Sequence, residues 1–170
     1  MDFAAYVRDI EDFPKQGVIF KDITPLLNNP EALKKACDAL LGFTTNMKID
    51  KVVGVDSRGF IFAPMLAERL NAGFVPVRKK GKLPHKTVSE AYELEYGSEI
   101  LEIHTDAIKK GEKVLIHDDV LATGGTASAV CKLVEKLGGE VVQCNFLIEL
   151  TFLNGAGKLN GYQIEALLQY

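Results

Sequence analysis

Short apolar runs alternate with longer amphipathic stretches over most of the chain. The apolar runs have the composition of buried parallel strands, and they lie at 51–56, 74–78, 113–117, about 141–150 and 163–169. Two intervening stretches have helical spacing, one after Gly59 and one from about Thr126 to Leu137. On the first helix, five residues are expected to face inward: Ile61, Met65, Leu66, Ala67 and Leu70. This alternation predicts an α/β fold, with a mostly parallel central sheet flanked by helices.

The remaining segments have weaker patterns. A short helix is expected after Asp2 and should end before Pro14, because proline cannot continue a helix. Residues 14–28 predict an ordered segment without a regular element. Asn29 and Pro30 suit the N-cap and first position of the helix that follows. Residues 88–105 contain Gly97 near their centre and predict two extended segments that form a hairpin.

Composition narrows the possible functions. The 170 residues include 20 Lys and Arg against 23 Asp and Glu, a net charge of −3, whereas nonspecific nucleic-acid binding usually requires a basic domain. No apolar run approaches the roughly 20 residues that span a bilayer, and the N-terminal sequence lacks the basic and apolar regions of a signal peptide. We therefore expect a cytoplasmic protein that binds neither nucleic acid nor membrane. The three cysteines match no metal-binding spacing and are expected to be small buried apolar residues.

Residues 113–126 combine a strand with two features that bind small ligands. The strand leads to the adjacent carboxylates of Asp118 and Asp119, and Thr123-Gly124-Gly125-Thr126 then turns the chain into a helix. Glycine amides, threonine hydroxyls and a helix N-terminus favour a phosphate in that turn. Carboxylates repel phosphate, so we expect them to contact neutral hydroxyls or a divalent cation. A ribose 5-phosphate, with a phosphate at one end and a diol nearby, fits both features.

Other phosphate motifs fit less well. Gly54 and Gly59 have the spacing of a P-loop, but Phe60 and Ile61 stand where Lys and Ser or Thr are required. A receiver-type magnesium site would explain the acidic pair, but it would leave the threonine-glycine turn unexplained.

A cluster of positive charge lies at residues 78–86, which we call the basic segment. Five of its nine residues are permanent cations: Arg78, Lys79, Lys80, Lys82 and Lys86. Taken alone, such a cluster is usually a solvated loop. Cations in a mobile loop can also act on a highly charged leaving group such as pyrophosphate.

Residues 114–126 resemble the signature of the type I phosphoribosyltransferases, enzymes that use 5-phosphoribosyl 1-pyrophosphate. Further segments, in the family order, resemble its adenine-specific members: 13–23, 56–60, 78–84, 94–97 and 147–150. The resemblance implies one domain over residues 1–170 with the type I phosphoribosyltransferase fold. It also implies a small N-terminal hood over the base site (about 1–28) and a flexible catalytic loop (about 79–96). Two residues depart from the pattern, His117 where an aliphatic residue is usual and Lys21 where some members have arginine.

The resemblance implies a role for each segment. The phosphoribosyl group and its 5′-phosphate would contact Asp118, Asp119, Ala122, Thr123, Gly124, Gly125, Thr126 and Ala127. Pyrophosphate would contact Asp56, Ser57, Arg58, Lys79 and Lys82, and a strained, often cis peptide is expected at Asp56–Ser57. Adenine would contact Val18, Ile19, Phe20, Lys21 and Val120. Glu95 and Arg58 would be catalytic, with Glu95 as the acid or base acting on the purine imidazole ring.

The implied reaction joins adenine to phosphoribosyl pyrophosphate and releases AMP and pyrophosphate. Mg²⁺ would be held mainly by substrate oxygens and water rather than by a protein site. A homodimer is also implied, and apolar groups in the N-terminal region and in residues 78–96 favour it.

Two alternatives belong to different functions. The same fold could act on hypoxanthine, guanine or orotate, although the hood sequence argues against these bases. A regulator could bind phosphoribosyl pyrophosphate without catalysis, but it should carry an added DNA-binding domain and a basic face.

Overall fold

The computed structural model describes residues 1–93 and 98–170. The chain divides into two compact units, an N-terminal unit of Met1–Ala39 and a sheet unit of Leu40–Tyr170. Within the described ranges, no helix combines the length and the apolarity needed to cross a bilayer.

The N-terminal unit contains a short antiparallel strand pair where the sequence predicted a helix. Only Ala4–Tyr6 form a helical turn, of the 3-10 type, and strands β1 (Arg8–Ile10) and β2 (Phe20–Asp22) then pair with each other. Opposite charges meet directly across this pair: Arg8 lies 2.7 Å from Asp22, and Lys21 lies 2.7 Å from Asp9. Cross-strand ion pairs of this kind favour the strand conformation. The short helix expected after Asp2 is therefore limited to one 3-10 turn, and strand β1 follows it.

The predicted irregular segment 14–28 is also more regular than expected, since it contains β2 and a short helix, α1 (Thr24–Asn28). The next helix, α2 (Pro30–Gly42), begins as predicted. The Asn29 side-chain oxygen accepts hydrogen bonds from the amides of Glu31, at 3.1 Å, and Ala32, at 2.9 Å. The N-cap prediction is thus confirmed.

The sheet unit is built on seven strands. They are β3 (Lys51–Val55), β4 (Gly73–Lys79), β5 (Thr87–Glu93), β6 (Ser98–His104), β7 (Lys113–Leu121), β8 (Glu140–Glu149) and β9 (Ile164–Gln169). Their order is β5-β6-β4-β3-β7-β8-β9, with β4, β3, β7, β8 and β9 parallel and the β5–β6 hairpin antiparallel at one edge. The predicted mostly parallel sheet is confirmed, although β7 continues four residues beyond its predicted end and includes both aspartates.

Helices α3 (Gly59–Arg69) and α4 (Gly125–Lys136) cover opposite faces of this sheet. Val53 and Val55 belong to the same core cluster as apolar residues of α4. Gly54, which faces the other side, approaches α3 so closely that an added Cβ would lie 2.7 Å from the Ala63 Cβ. Because β4 and β7 extend the sheet from β3 in opposite directions, the carboxyl ends of β3 and β7 form a switch point of the kind that binds ligands.

The inward face of α3 matches the prediction at Leu66 and Ala67 and differs from it elsewhere. Phe62, Ala63, Leu66 and Ala67 are buried, while the predicted Ile61, Met65 and Leu70 are only half-buried. The helix begins against β7. A Cβ on Gly59, its first residue, would lie 2.9 Å from the Asp118 carboxylate and 3.1 Å from the His117 carbonyl oxygen. The three cysteines are buried, as predicted.

Candidate active site

The last residues of β7 place two carboxylates in different surroundings. Asp118 is half-buried, and its Oδ1 accepts a hydrogen bond from the Asp119 amide at 2.9 Å. Asp119 is 5 % exposed, and its Oδ2 lies 2.8 Å from Nε of Arg58. The two predicted diol-binding carboxylates therefore differ, because one of them is already engaged by a cation.

Electrostatics reinforces this difference. Burial, followed by the negative charge of Asp119, raises the pKa of Asp118 well above its usual range. Burial also raises the pKa of Asp119, but the Arg58 guanidinium opposes that increase. Ligand hydroxyls or a cation next to Asp118 would stabilise its ionised form. Asp118 is thus a carboxylate whose ionised form would be stabilised by a hydrogen-bond donor of a bound ligand.

The turn after β7 encloses a concavity of about 60 Å³. Its lining comprises Asp118, Val120, Leu121, Ala122, Thr123, Gly124, Gly125, Thr126 and Ala127. Seven of the eight residues predicted to bind the phosphoribosyl group thus share one concave surface, and Asp119 is the exception. Val120, predicted to stack on adenine, lines it as well. The turn opens directly into α4, whose N-terminal amides favour an anion.

A residue that sequence reasoning missed supports this turn from behind. Gly155 lies in a 3-10 turn after β8, and a Cβ on it would lie 2.2 Å from the Ala122 carbonyl oxygen. Gly124 has φ +77°, and a Cβ on it would lie 2.3 Å from the Gly155 carbonyl oxygen. The two glycines allow backbone to pack on backbone. The Asn154-Gly155 dipeptide is typical of a turn, but nothing in the sequence places it beside the Thr123–Thr126 turn.

The segment after β3 carries the predicted pyrophosphate residues Asp56, Ser57 and Arg58. The Asp56–Ser57 peptide is cis, as expected. The Asp56 carboxylate accepts a hydrogen bond from Nε of Arg78 at 2.9 Å, and that guanidinium lies 6.0 Å from the centre of the Phe60 ring. Arg78 of β4 thus joins the basic segment to the turn that follows β3.

Part of the predicted loop 79–96 belongs to regular strands. Of the range 79–96, Lys79 belongs to β4 and residues 87–93 form β5, which pairs with β6 along its whole length. The described irregular part is therefore 80–86. Nζ of Lys79 lies 2.5 Å from the Glu99 carboxylate, which also accepts a hydrogen bond from the Tyr92 hydroxyl at 2.7 Å. Lys82 is exposed, and its carbonyl oxygen accepts a hydrogen bond from Arg78 at 3.5 Å.

The remaining predicted residues are Glu95 and the adenine-binding segment 18–21. Glu95 falls outside the described residues. Val18, Ile19, Phe20 and Lys21 belong to the N-terminal unit, where Ile19 is 53 % exposed and the rings of Phe13 and Phe20 meet edge to face at 5.2 Å. Among residues 1–93 and 98–170, no three His, Cys, Asp or Glu side chains are grouped to hold a metal ion.

His117 begins a buried chain of hydrogen bonds behind the aspartates. Its Nδ1 lies 2.8 Å from the Asn145 side-chain oxygen, and the Asn145 amide donates to the Gln143 side-chain oxygen at 3.5 Å. Gln143 in turn donates to the Phe43 carbonyl at 2.9 Å. The Asn145 side chain donates through its nitrogen to Gln143, so its oxygen is the acceptor that faces His117. Nδ1 of His117 is therefore the donor and carries the proton. Its Nε2 has no partner among the described residues.

Comparison with known proteins assigns the chain to a family. Residues 23–160 match the model of the phosphoribosyl transferase domain. The chain therefore belongs to the phosphoribosyltransferase family. Within that family it is grouped with the adenine phosphoribosyltransferases, since proteins of that name are similar to it over their full lengths.

Three of these relatives give the extent of the similarity. The adenine phosphoribosyltransferase of Christiangramia forsetii is 66% identical over 100% of this chain and 99% of its own. The crystal structure of the Rhodothermus marinus enzyme has a TM-score of 0.95 at 55% identity, covering 99% of this chain and 96% of that one. The Saccharomyces cerevisiae enzyme, solved with adenine and an iminoaltritol bisphosphate, has a TM-score of 0.91 at 43% identity, covering 96% and 94%. The type I phosphoribosyltransferase fold is thus confirmed.

The buried histidine predicts a pH dependence of stability. Burial lowers the pKa of His117 from 6.5 to about 4, so the unfolded chain binds a proton in this range that the folded chain does not. The free energy of unfolding should therefore fall as the pH decreases from 6.5 towards 4. The contribution is about 2 kcal/mol between about pH 7.5 and about pH 5. Urea unfolding of the protein and of a His117→Leu variant at both pH values measures it. Equal pH dependence in the two proteins would contradict the assignment.

Proposed function

We propose that this protein transfers the phosphoribosyl group of 5-phosphoribosyl 1-pyrophosphate to adenine, forming AMP and pyrophosphate in purine salvage. The observation that carries the proposal is the shared concavity of Asp118 and the Ala122–Thr126 turn, at the switch point of a parallel sheet. The full-length similarity to adenine phosphoribosyltransferases supports the same reaction, and the yeast relative was solved with adenine bound.

In this proposal the concavity binds the ribose 5-phosphate part of the substrate. Backbone amides at the N-terminus of α4 and the hydroxyls of Thr123 and Thr126 receive the 5′-phosphate. The ribose hydroxyls donate to Asp118, while Asp119 acts chiefly by holding Arg58. Negative charge at these carboxylates stabilises the positive charge that develops on the ribose in an oxocarbenium-like transition state. Binding of the remote phosphate fixes the reacting carbon in place.

Pyrophosphate leaves towards the positive side of the site. The amides of the Asp56–Arg58 turn and the guanidinium of Arg58 are its proposed ligands, together with Lys79 and Lys82 of the basic segment. Lys79 is paired with Glu99, so it would share its charge between that carboxylate and the leaving group. Cations at this position act on the transition state because negative charge grows on the leaving oxygen.

The base is assigned to the hood residues Val18, Ile19, Phe20 and Lys21, with Val120. Adenine presents an amine donor and a ring-nitrogen acceptor, which the Ile19 carbonyl and the Lys21 amide would match. Guanine and hypoxanthine would mispair with both groups, a mismatch that can discriminate by about 10⁴-fold. Glu95 is proposed as the acid or base at the imidazole ring.

Mg²⁺ is proposed as the cofactor. The ion would be held mainly by substrate oxygens and water, as is usual for Mg²⁺ with phosphates. There it would neutralise the charge of the pyrophosphate group. A cytoplasmic location is part of the same proposal, since that is where a salvage enzyme meets these substrates.

The deciding experiment is a nucleobase panel. The purified protein is incubated with phosphoribosyl pyrophosphate, Mg²⁺ and one of adenine, hypoxanthine, guanine or orotate, and nucleotide formation is measured. Only adenine should react at a substantial rate. A reaction with another base and none with adenine would contradict the base assignment. Binding of phosphoribosyl pyrophosphate without any reaction would favour a regulator instead.

Neutral replacement of the two aspartates should separate their roles. Asp118→Asn should raise the KM for phosphoribosyl pyrophosphate by about 10- to 100-fold, the value of a hydrogen bond to a charged group. Asp119→Asn should act through Arg58, so its effect should not add to that of Arg58→Ala, whereas the effects of Asp118→Asn and Arg58→Ala should be closer to additive. Steady-state kinetics of the single and double variants measures both cycles. Equal additivity in the two cycles would contradict the distinction.

We also propose a homodimer. In the described ranges Phe13, Ile19, Phe74 and Phe152 are exposed apolar side chains, with Phe152 73 % exposed. Where exposed apolar groups form a contiguous patch, they often mark protein contacts. Size-exclusion chromatography with light scattering should give twice the monomer mass at concentrations where the enzyme is active. A fully active monomer that persists on dilution would contradict the dimer.

A further inference from the structure

One acidic residue lies against the cations of the basic segment without a role in the proposed chemistry. Glu102 is in the middle of β6 and is only 8 % exposed. In the sheet it lies opposite Arg78 of β4 on one side and Ser89 of β5 on the other. Its neighbours Leu101 and Ile103 belong to the core on the α4 side, so Glu102 faces the opposite side of the sheet.

The Glu102 carboxylate holds the turn at the start of the basic segment. It accepts a hydrogen bond from the Gly81 amide at 2.9 Å. Gly81 has φ +79°, a conformation that residues with side chains rarely adopt. The adjacent amide of Lys80 donates to the Ile100 carbonyl at 3.0 Å. Lys80 and Gly81 are thus both tied to β6, one through backbone and one through this side chain.

A second set of hydrogen bonds joins the same turn to the turn that follows β3. Arg78 donates through Nε to Asp56 and through Nη1 to the Lys82 carbonyl, at 2.9 and 3.5 Å. The Lys82 amide donates to the Lys79 carbonyl at 3.2 Å and closes the turn. Residues 79–82 are therefore held between β6 and the turn that follows β3.

The charge of Glu102 is unfavourable for binding an anion nearby. A buried carboxylate beside a cluster of lysines lowers the positive potential that pyrophosphate would meet. Its position is explained instead by the hydrogen bond to Gly81, because a buried acceptor fixes the path of the backbone.

We propose that Glu102 is a positioning residue that acts through the Gly81 amide to hold the cations of residues 79–82 in place for pyrophosphate. The inference rests on the proposed function for the identity of the anion. Its structural part, the anchoring of the turn, does not depend on that function. The side chain needs an acceptor oxygen for this role and does not need its negative charge.

Three variants test the proposal. Glu102→Ala removes the acceptor, whereas Glu102→Gln keeps an acceptor oxygen and removes the charge. Glu90→Ala is the matched control, because Glu90 is a half-buried strand carboxylate of β5, opposite Leu101, that pairs with Lys136 of α4 at 2.6 Å. The first measurement is the rate of tryptic cleavage within residues 79–86. The second is the KM for phosphoribosyl pyrophosphate compared with kcat and with the KM for adenine.

Glu102→Ala should increase cleavage in the basic segment and the KM for phosphoribosyl pyrophosphate by about tenfold each, the upper end expected for a lost hydrogen bond that does not depend on charge. The KM for adenine should change little. Glu102→Gln should restore both values to within about twofold of the unaltered protein, and Glu90→Ala should leave both unchanged. If Glu102→Ala does not fold, Gly81→Ala perturbs the same contact from its other partner and should increase cleavage in the same way.

Two results would overturn the proposal. Cleavage and kinetics of Glu102→Ala equal to those of Glu90→Ala would show that the turn is not anchored by this side chain. Equal impairment in Glu102→Gln and Glu102→Ala would show that the charge, and not the acceptor, is required. Failure of the proposed function would be distinct, since the unaltered protein would then form no nucleotide while the cleavage pattern still reported on the anchor.

Discussion

The close approach of the first residue of α3 to β7 is the constraint on which the site depends. Gly59 packs so tightly against Asp118 and the His117 carbonyl that no side chain fits between them. This contact brings Arg58 to Asp119, a carboxylate that could not stay buried and charged without a cation beside it. It also fixes where α3 begins and which of its residues face the sheet. A loop, an ion pair and a helix orientation thus follow from the absence of one Cβ.

Features that repeat along the chain could be predicted from the sequence. The parallel strands and the helix that follows the Thr123–Thr126 turn were located from apolar runs and glycines, since local pattern determines them. The inward face of α3 was predicted correctly at Leu66 and Ala67 but not at Ile61, because Phe62 and Ile61 are equally apolar. Only the contact at Gly59, with a strand more than 50 residues away in the sequence, decides between them.

The structure brings most of the predicted phosphoribosyl-binding residues to one concavity, but it gives the two aspartates different surroundings. Two adjacent aspartates look alike in a sequence, yet one faces the concavity and the other pairs with Arg58. Likewise, the charges of Arg8 and Asp22 formed no helical pattern, and their pairing became visible only with β1 and β2 in register. These distinctions arise from contacts between distant segments, which a single sequence does not record.

The packing of Gly155 against Gly124 limits how the Thr123–Thr126 turn could be transferred to another protein. The Thr123–Thr126 turn is a continuous stretch of sequence, so it could be expected to keep its shape when grafted onto another parallel sheet. Its shape, however, depends on the connection between β8 and β9. The backbone of that connection packs directly against the turn and leaves no space for a Cβ between them. A graft of the turn alone would lack this supporting backbone. The smallest transferable unit is the turn together with Asn154 and Gly155, on two strands in their native spacing.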